Sequence, residues 1–273
     1  MTPPFFNNLT KSVNNILSDD YSLKRTLKVK HTTAPHKVGF TVEDEYKKGA
    51  ISGKWTVKWA HPASGFSLDK VTMKADGTYA VESSITGLAP GLKLTSATDN
   101  DLKGVLGAEY TGANYASKAS VDLAFSTVSA SATFDVQGVN AGGSISYKLP
   151  GEKPPSVKDY NVGVSYGAKK WFGALSTADQ MKTYKLSASY TPTKDVTGAL
   201  VASATPEKNS QVVTAGVLFS CNPKTTMRAK VDSAGEIHGV VSQKCTSTMT
   251  VALTGAVNVK SMDPKFGIAC TLG

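Results

Sequence analysis

From Ser22 to the end of the chain, apolar and polar side chains alternate with a period of two in short blocks. The clearest block sets Ile51, Gly53, Trp55, Val57 and Trp59 against Ser52, Lys54, Thr56 and Lys58. Leu27 and Val29 alternate with Lys28 and Lys30, and Val38, Phe40 and Val42 with Lys37, Gly39 and Thr41. Similar rows recur to the end, among them Tyr160, Val162, Val164 and Tyr166, then Tyr184, Leu186, Ala188 and Tyr190. Successive side chains of a strand point to opposite faces, so each block predicts a strand with one apolar face. Turn signals separate the blocks: Ala34-Pro35, Lys48-Gly49, Asp76-Gly77, Pro90-Gly91, Asn222-Pro223 and Asp263-Pro264. Pro150 to Lys158 and Thr191 to Asp195 read as longer Pro- and Lys-rich loops, and the alternation slips around Phe66–Ala75.

The start of the chain has a different rhythm. Phe6, Leu9, Val13, Ile16 and Leu17 fall close to a 3.6-residue period, predicting an amphipathic helix within residues 3–20. Its expected length is about three to four turns, too short to stand without a surface to lie against. Asp19 and Asp20 sit at its carboxyl end, where the helix dipole disfavours acids. The chain thus divides into a helical segment, 1–21, and a strand region, 22–273, that no linker interrupts.

Two architectures accept such strands, a soluble sandwich or a membrane barrel. Residues 22–273, divided by a hairpin unit of roughly 13 residues, give about 19 strands, more than sandwiches stack from uniform short units. Trp59, Phe66, Tyr110, Tyr147, Tyr160 and Tyr190 cluster near row ends, as an interfacial girdle requires. The expectation is an all-β membrane protein: a closed transmembrane β-barrel with the amphipathic helix in its pore. Phe6, Leu9, Val13, Ile16 and Leu17 would pack on the wall and leave Lys11 in water. A helix lying on the membrane or plugging one mouth is the competing placement. No run of 18 apolar residues exists for a spanning helix, which leaves a barrel untouched.

Charge then narrows the cargo. The net charge is +9, which favours anionic partners. With the polar face inward, Lys28, Lys30, Lys54, Lys58, Lys93, Lys118, Lys148, Lys185, Arg228 and Lys230 line the lumen, opposed most clearly by Glu43, Asp122 and Asp135. Such an excess enriches anions, weakly, because a pore wider than a Debye length of about 8 Å is mostly screened. A Lys row on one strand is equally the mark of a solvated face; the set of rows argues for the pore. The three cysteines, Cys221, Cys245 and Cys270, have no paired spacing and read as isolated thiols, so neither metal nor cofactor is expected. His31, His36, His61 and His238 lie at row ends and turns without motif partners, and no P-loop occurs, so an enzyme is not expected. The amino terminus has neither a signal-peptide core nor an Arg-rich transit composition.

Pro3-Pro4 followed by Leu9-Thr10-Lys11-Ser12 resembles the start of mitochondrial porins, the voltage-dependent anion channel family. Gly91-Leu92-Lys93 resembles that family's Gly-Leu-Lys triplet. The last strand, with Lys265, Gly267, Cys270 and Leu272, resembles an outer-membrane sorting signal. The resemblance spans the whole chain in length and layout. It implies 19 strands, a known mark of this family, with the first and last paired in parallel. It also implies a voltage-dependent, weakly anion-selective channel of the mitochondrial outer membrane passing ATP, ADP and phosphate. By the same resemblance Lys11, Gly91, Leu92 and Lys93 are nucleotide-contact candidates. The chain departs from animal members in reading Ser18-Asp19-Asp20-Tyr21-Ser22-Leu23 where they carry a Gly-rich hinge, and in holding Asn14 and Asp19 at basic helix positions. By ungapped count Lys70 stands where animal members have a lipid-facing acid. These features resemble plant or algal members more.

The expected partners are membrane lipid and small anions or nucleotides in transit; a homo-oligomer is left open, and nucleic acid is not a primary partner. A protein-import pore of the same membrane shares the barrel but has a longer amino-terminal extension and a more acidic lumen. A plastid-envelope porin fits the barrel residues equally. A soluble basic β-protein binding nucleic acid or sugar would need aromatics beside its lysines, yet Trp55 and Trp59 lie opposite Lys54 and Lys58.

Overall fold

The computed structural model describes residues 2–33, 38–47, 50–61, 63–101, 103–150 and 154–273. A 3₁₀ turn, Phe6–Asn8, and one helix, α1 (Lys11–Leu17), precede the strands. The first strands are β1 (Arg25–Thr33), β2 (Val38–Lys47), β3 (Ala50–Ala60), β4 (Phe66–Lys74), β5 (Tyr79–Thr86) and β6 (Leu92–Asp99). β7 (Gly104–Thr111), β8 (Tyr115–Asp122), β9 (Thr127–Val136), β10 (Val139–Lys148), β11 (Ser156–Gly167) and β12 (Trp171–Ala178) follow. β13 (Thr183–Thr193), β14 (Val196–Thr205), β15 (Ser210–Asn222), β16 (Thr225–Asp232), β17 (Glu236–Lys244), β18 (Met249–Asn258) and β19 (Pro264–Leu272) complete the sheet.

All 19 strands belong to one sheet, and β1 also pairs with β19, so it closes into a β-barrel without free edges. Strands joined by short hairpins run antiparallel, and the count is odd, so β1 and β19 run in the same direction where they meet. At this seam the Ile268 N–H donates to the Lys24 carbonyl at 3.1 Å. A Cβ at Gly267 would collide with the Ser22 carbonyl and Leu23, so closure itself requires glycine there. Turn chemistry sets several hairpins. Gln137 and Gly138 both have positive φ (54° and 85°), the handedness a two-residue hairpin needs, and the Asp76 carboxylate accepts from the N–H and hydroxyl of Thr78. Those two bonds hold the Asp76 carboxyl below the usual carboxylate range.

Contacts divide the chain into two compact units. One comprises residues up to 6, 29–44 and 52–162. Here β4 carries a register shift between Leu68 and Lys70, which puts Asp69 and Lys70 successively on the polar face. This explains the slip of the alternation. The other unit comprises 7–28, 45–51 and 163–273. In it Thr191–Asp195, expected as a loop, is largely strand: β13 runs to Thr193, Lys194-Asp195 makes the turn, and Pro192 sits at a register shift that spares the ladder its missing N–H.

The helix is shorter than expected. α1 has 7 residues, about two turns, because the Asn-rich run before it has poor helix propensity and Thr10 starts the helix afresh. It packs on β13, β14 and β15, burying Val13, Ile16 and Leu17 against Ala199, with Phe172, Val201 and Leu218 alongside. Leu9 is buried as expected, whereas Phe6 is only half-buried. Ala34-Pro35, Lys48-Gly49, His36 and Lys37 lie outside the described residues.

Candidate pore lining and helix dock

Burial in this sheet is inverted relative to a soluble protein. Trp55 is 66% exposed, while its neighbour Thr56 is 8% exposed. The same contrast runs through both units: Phe134 and Leu186 are exposed, whereas Thr133, Ser165, Ser187 and Thr254 are buried. A closed sheet crowds side chains on its concave face and splays them on its convex one, so short polar residues line the inside and large apolar ones the outside. Such an apolar exterior is far beyond what water tolerates on a soluble protein and is what lipid requires. Among the described residues no helix is long and apolar enough to cross a membrane, which says nothing of strands.

Aromatic side chains mark the ends of the outer face. In the first unit Trp59 meets Phe66 edge-on, and Tyr110, Tyr115 and Phe134 form a stacked row. In the second, Trp171 stacks on Tyr190 with centroids 4.0 Å apart. Amphipathic rings at strand ends suit the headgroup boundary.

The predicted lysines lie on the inner face, but the structure gives several of them carboxylate partners. Lys54 pairs with Glu43 (3.1 Å), Lys93 with Asp69 (3.3 Å) and Lys118 with Glu109 (2.7 Å). Register explains the last: Glu109 stands opposite Lys118 on β8, with Lys93 opposite it on β6. Ser67 donates to Asp69 and bonds Ser84, fixing the acid that holds Lys93. Lys70 pairs with Glu82 at 3.5 Å on this same face, so it does not occupy the lipid-facing position suggested by ungapped count. Asp69, Glu82 and Glu109 were missed as inner acids; the Lys93–Glu109–Lys118 alternation was available only once strand register was known. Lys30, Lys58, Lys148 and Lys185 form no ion pair among the described residues, and Lys11 is exposed at the start of α1. Lys28 also lies on the inner face, between outward Leu27 and Val29.

Gly91, Leu92 and Lys93 are brought together in a cavity of about 540 Å³ at the β5–β6 turn, with Thr86, Gly87, Ala89 and Pro90. Lys11 belongs to the other unit. Lys265, Gly267, Cys270 and Leu272 sit on β19; Lys265 and Gly267 share one face, Cys270 and Leu272 the other.

The second unit carries a polar dock for the end of the helix. Lys230 donates to the Leu17 carbonyl at 2.8 Å, in the last turn where the dipole is negative, and stands 4.3 Å over the Tyr21 ring. Arg228 donates to the Asp19 carbonyl and pairs with the Asp20 carboxylate. Thr254 donates to the Asp20 carbonyl at 3.2 Å. Asp20 has φ of 68°, a left-handed turn that costs a non-glycine residue and is held here from both ends. Tyr21 packs edge-on against His238, which faces Glu236 at 3.4 Å. Burial raises the Tyr21 phenol above its ordinary value, against the pull of Arg228, so it stays neutral. His238, near the start of β17, thus has partners that no sequence motif announces and belongs to this dock. Arg228 and Lys230 are likewise committed to the dock before they can act on passing ions.

A closed barrel with an apolar exterior and a polar, charged interior defines a membrane channel. A family model described as eukaryotic porin matches residues 2–267, and the chain belongs to that family. Comparison with curated protein sequences finds no match. Two variants of the Rh. blastica porin each have a TM-score of 0.50 and 11% identity, covering 89% of this chain and 94% of that one. At this identity the likeness is one of fold. A barrel of this family resides in an outer membrane and conducts small solutes.

Proposed function

We propose that this eukaryotic porin is a voltage-dependent, weakly anion-selective channel of the mitochondrial outer membrane, passing small metabolites such as ATP, ADP and phosphate. The observation that carries the reading is the charge left over on the inner face. After Lys54, Lys93, Lys118 and Arg228 are matched with carboxylates, Lys30, Lys58, Lys148 and Lys185 remain unmatched among the described residues. Lysines without ion pairs on a water-filled wall enrich anions without binding them tightly, and Asp122 and Asp135 on the same face keep the excess small. Lys11, at the exposed start of the docked helix, adds to the same excess. Within this reading the barrel, 22–273, is the conduit and the segment 1–21 a wall-docked insert, and the Gly91–Lys93 cavity is a candidate nucleotide contact. The sequence features of β19 support sorting to the mitochondrial membrane. Reconstitution in planar bilayers under a salt gradient tests it. A reversal potential of anion sign, with conductance falling at higher voltage of either polarity, is expected; a cation-sign potential overturns it.

A further inference from the structure

The hairpins of the second unit are charged very differently at the two ends of their strands. At one end stand Ala168-Lys169-Lys170 between β11 and β12, Lys194-Asp195 between β13 and β14, and Pro223-Lys224 between β15 and β16. Lys244 ends β17 on the same side, and its N–H donates to the Lys224 carbonyl at 2.8 Å. These five lysines are exposed, and none forms an ion pair among the described residues. Asp195 is the one acidic side chain on these hairpins. At the opposite end of the same strands the five acids Asp179, Glu207, Asp232, Glu236 and Asp263 outnumber Lys182, Lys208, Lys260 and Lys265, and Lys182 is paired with Glu207.

Three observations fix what the basic row meets. The strands carry an apolar outer face, so their ends emerge at the two surfaces of a bilayer. The stacked Trp171 and Tyr190 lie directly next to the row: Trp171 follows Lys170 in sequence, and Tyr190 pairs with Trp171 across β12 and β13. Such a stack marks the headgroup boundary, which puts the neighbouring ammonium groups at phosphate depth. The hairpins are also tied down, the Lys170 ammonium on the Pro192 carbonyl (3.3 Å) and the Asp195 carbonyl on the Ser220 N–H (2.8 Å), so the row is a fixed array.

We propose that Lys169, Lys170, Lys194, Lys224 and Lys244 form a docking surface for anionic phospholipid headgroups, recruiting acidic lipid to one end of one side of the barrel. A row of lysines at the membrane surface draws acidic lipid by charge, and the attraction decays within a Debye length. The proposal rests on the membrane-spanning reading of the strands but not on what the pore conducts.

The test uses the full chain in phosphatidylcholine vesicles carrying trace spin-labelled phosphatidylglycerol or spin-labelled phosphatidylcholine. The motionally restricted fraction of each label reports lipid held at the protein surface. The native chain should restrict phosphatidylglycerol several-fold more strongly at low salt, with the difference collapsing in about 1 M salt, where the Debye length is about 3 Å. Substituting glutamine at all five positions should remove most of the preference, whereas Lys182→Gln, Lys208→Gln and Lys260→Gln together should leave it intact. Equal restriction of both labels by the native chain overturns the proposal, as does a preference that survives the five-site change. Full competition by millimolar inorganic phosphate also overturns it, because the row would then be a free-phosphate site. Should the five-site variant fail to insert, the Lys169→Gln, Lys170→Gln pair and the salt titration of the native chain decide. Bilayer conductance recorded on the same samples separates this proposal from the channel reading: lost conductance with intact lipid preference removes only the latter.

Discussion

Arg228 on β16 holds the Asp20 carboxylate and the Asp19 carbonyl, joining the end of α1 to the wall across 208 positions of sequence. The pairing resolves a conflict in the sequence, where two acids follow the negative end of a helix dipole. The barrel supplies the cations, Arg228 and Lys230, that the last turn of the helix lacks. It also means the segment after the helix is a fastened turn, where a Gly-rich hinge would swing.

Removing that fastening should loosen the helix more than it destabilises the barrel. Asp20 is 57% exposed, so water screens the ion pair and Arg228→Gln should cost under about 1 kcal/mol of global stability. Amide exchange over residues 11–21 should nevertheless quicken several-fold. Lys230→Met should act similarly, because it strips the Leu17 carbonyl of its donor. Unchanged exchange in both variants would mean the apolar face alone holds the helix.

That apolar face offers a second handle. Gly216 on β15 lies under Leu17; a Cβ there would sit 2.6 Å from Leu17 Cδ2 and 2.8 Å from the Ala229 carbonyl. Gly216→Val should therefore lift the helix, at an overpacking cost of about 1–3 kcal/mol. Val13 is fully buried, and Val13→Ala removes roughly two methylenes, about 1.6 kcal/mol of burial. Denaturant titration in detergent, followed by trypsin cleavage at Lys11, should find Gly216→Val protease-sensitive with its strands intact.

Ion pairing predicts which lysines govern selectivity. Removing Lys54 alone would also alter the charge balance around Glu43, so single changes at paired sites mislead. The double change Lys54→Gln, Glu43→Gln removes no net charge and should leave the reversal potential near that of the native channel. Lys58→Gln, at a position without an ion pair, should shift it measurably toward cations in a salt gradient. Equal shifts from the two variants would contradict the charge distribution proposed for the wall.

Much of the barrel could be read from the chain because a strand writes its two faces into alternate residues. Trp55 beside Lys54 is enough to orient β3, and the strand count followed from repeat length. The shift at Lys70 was visible only as a lost rhythm, since a bulge moves one residue and leaves no motif. Pro192 misled for the opposite reason: a proline signals a break, yet a register shift lets it stay within a strand. The dock was illegible because its members are about 200 residues apart, and no local pattern links Asp20 to Arg228 or to Thr254. The Gly267 position carried a second meaning the pattern did not reveal, room for β1 to close the sheet.

Channel, dock and lipid surface all depend on which face of the sheet is wet, and Trp55 tests it most directly. In a variant carrying Trp59→Phe and Trp171→Phe, Trp55 becomes the sole indole. Its fluorescence in vesicles should be quenched by brominated acyl chains and be indifferent to aqueous iodide, while Lys58→Cys, in a chain with Cys221, Cys245 and Cys270 changed to serine, reacts with a charged, water-borne thiol reagent. Strong iodide quenching of Trp55, with the Lys58 position silent to that reagent, would invert the barrel and contradict the account.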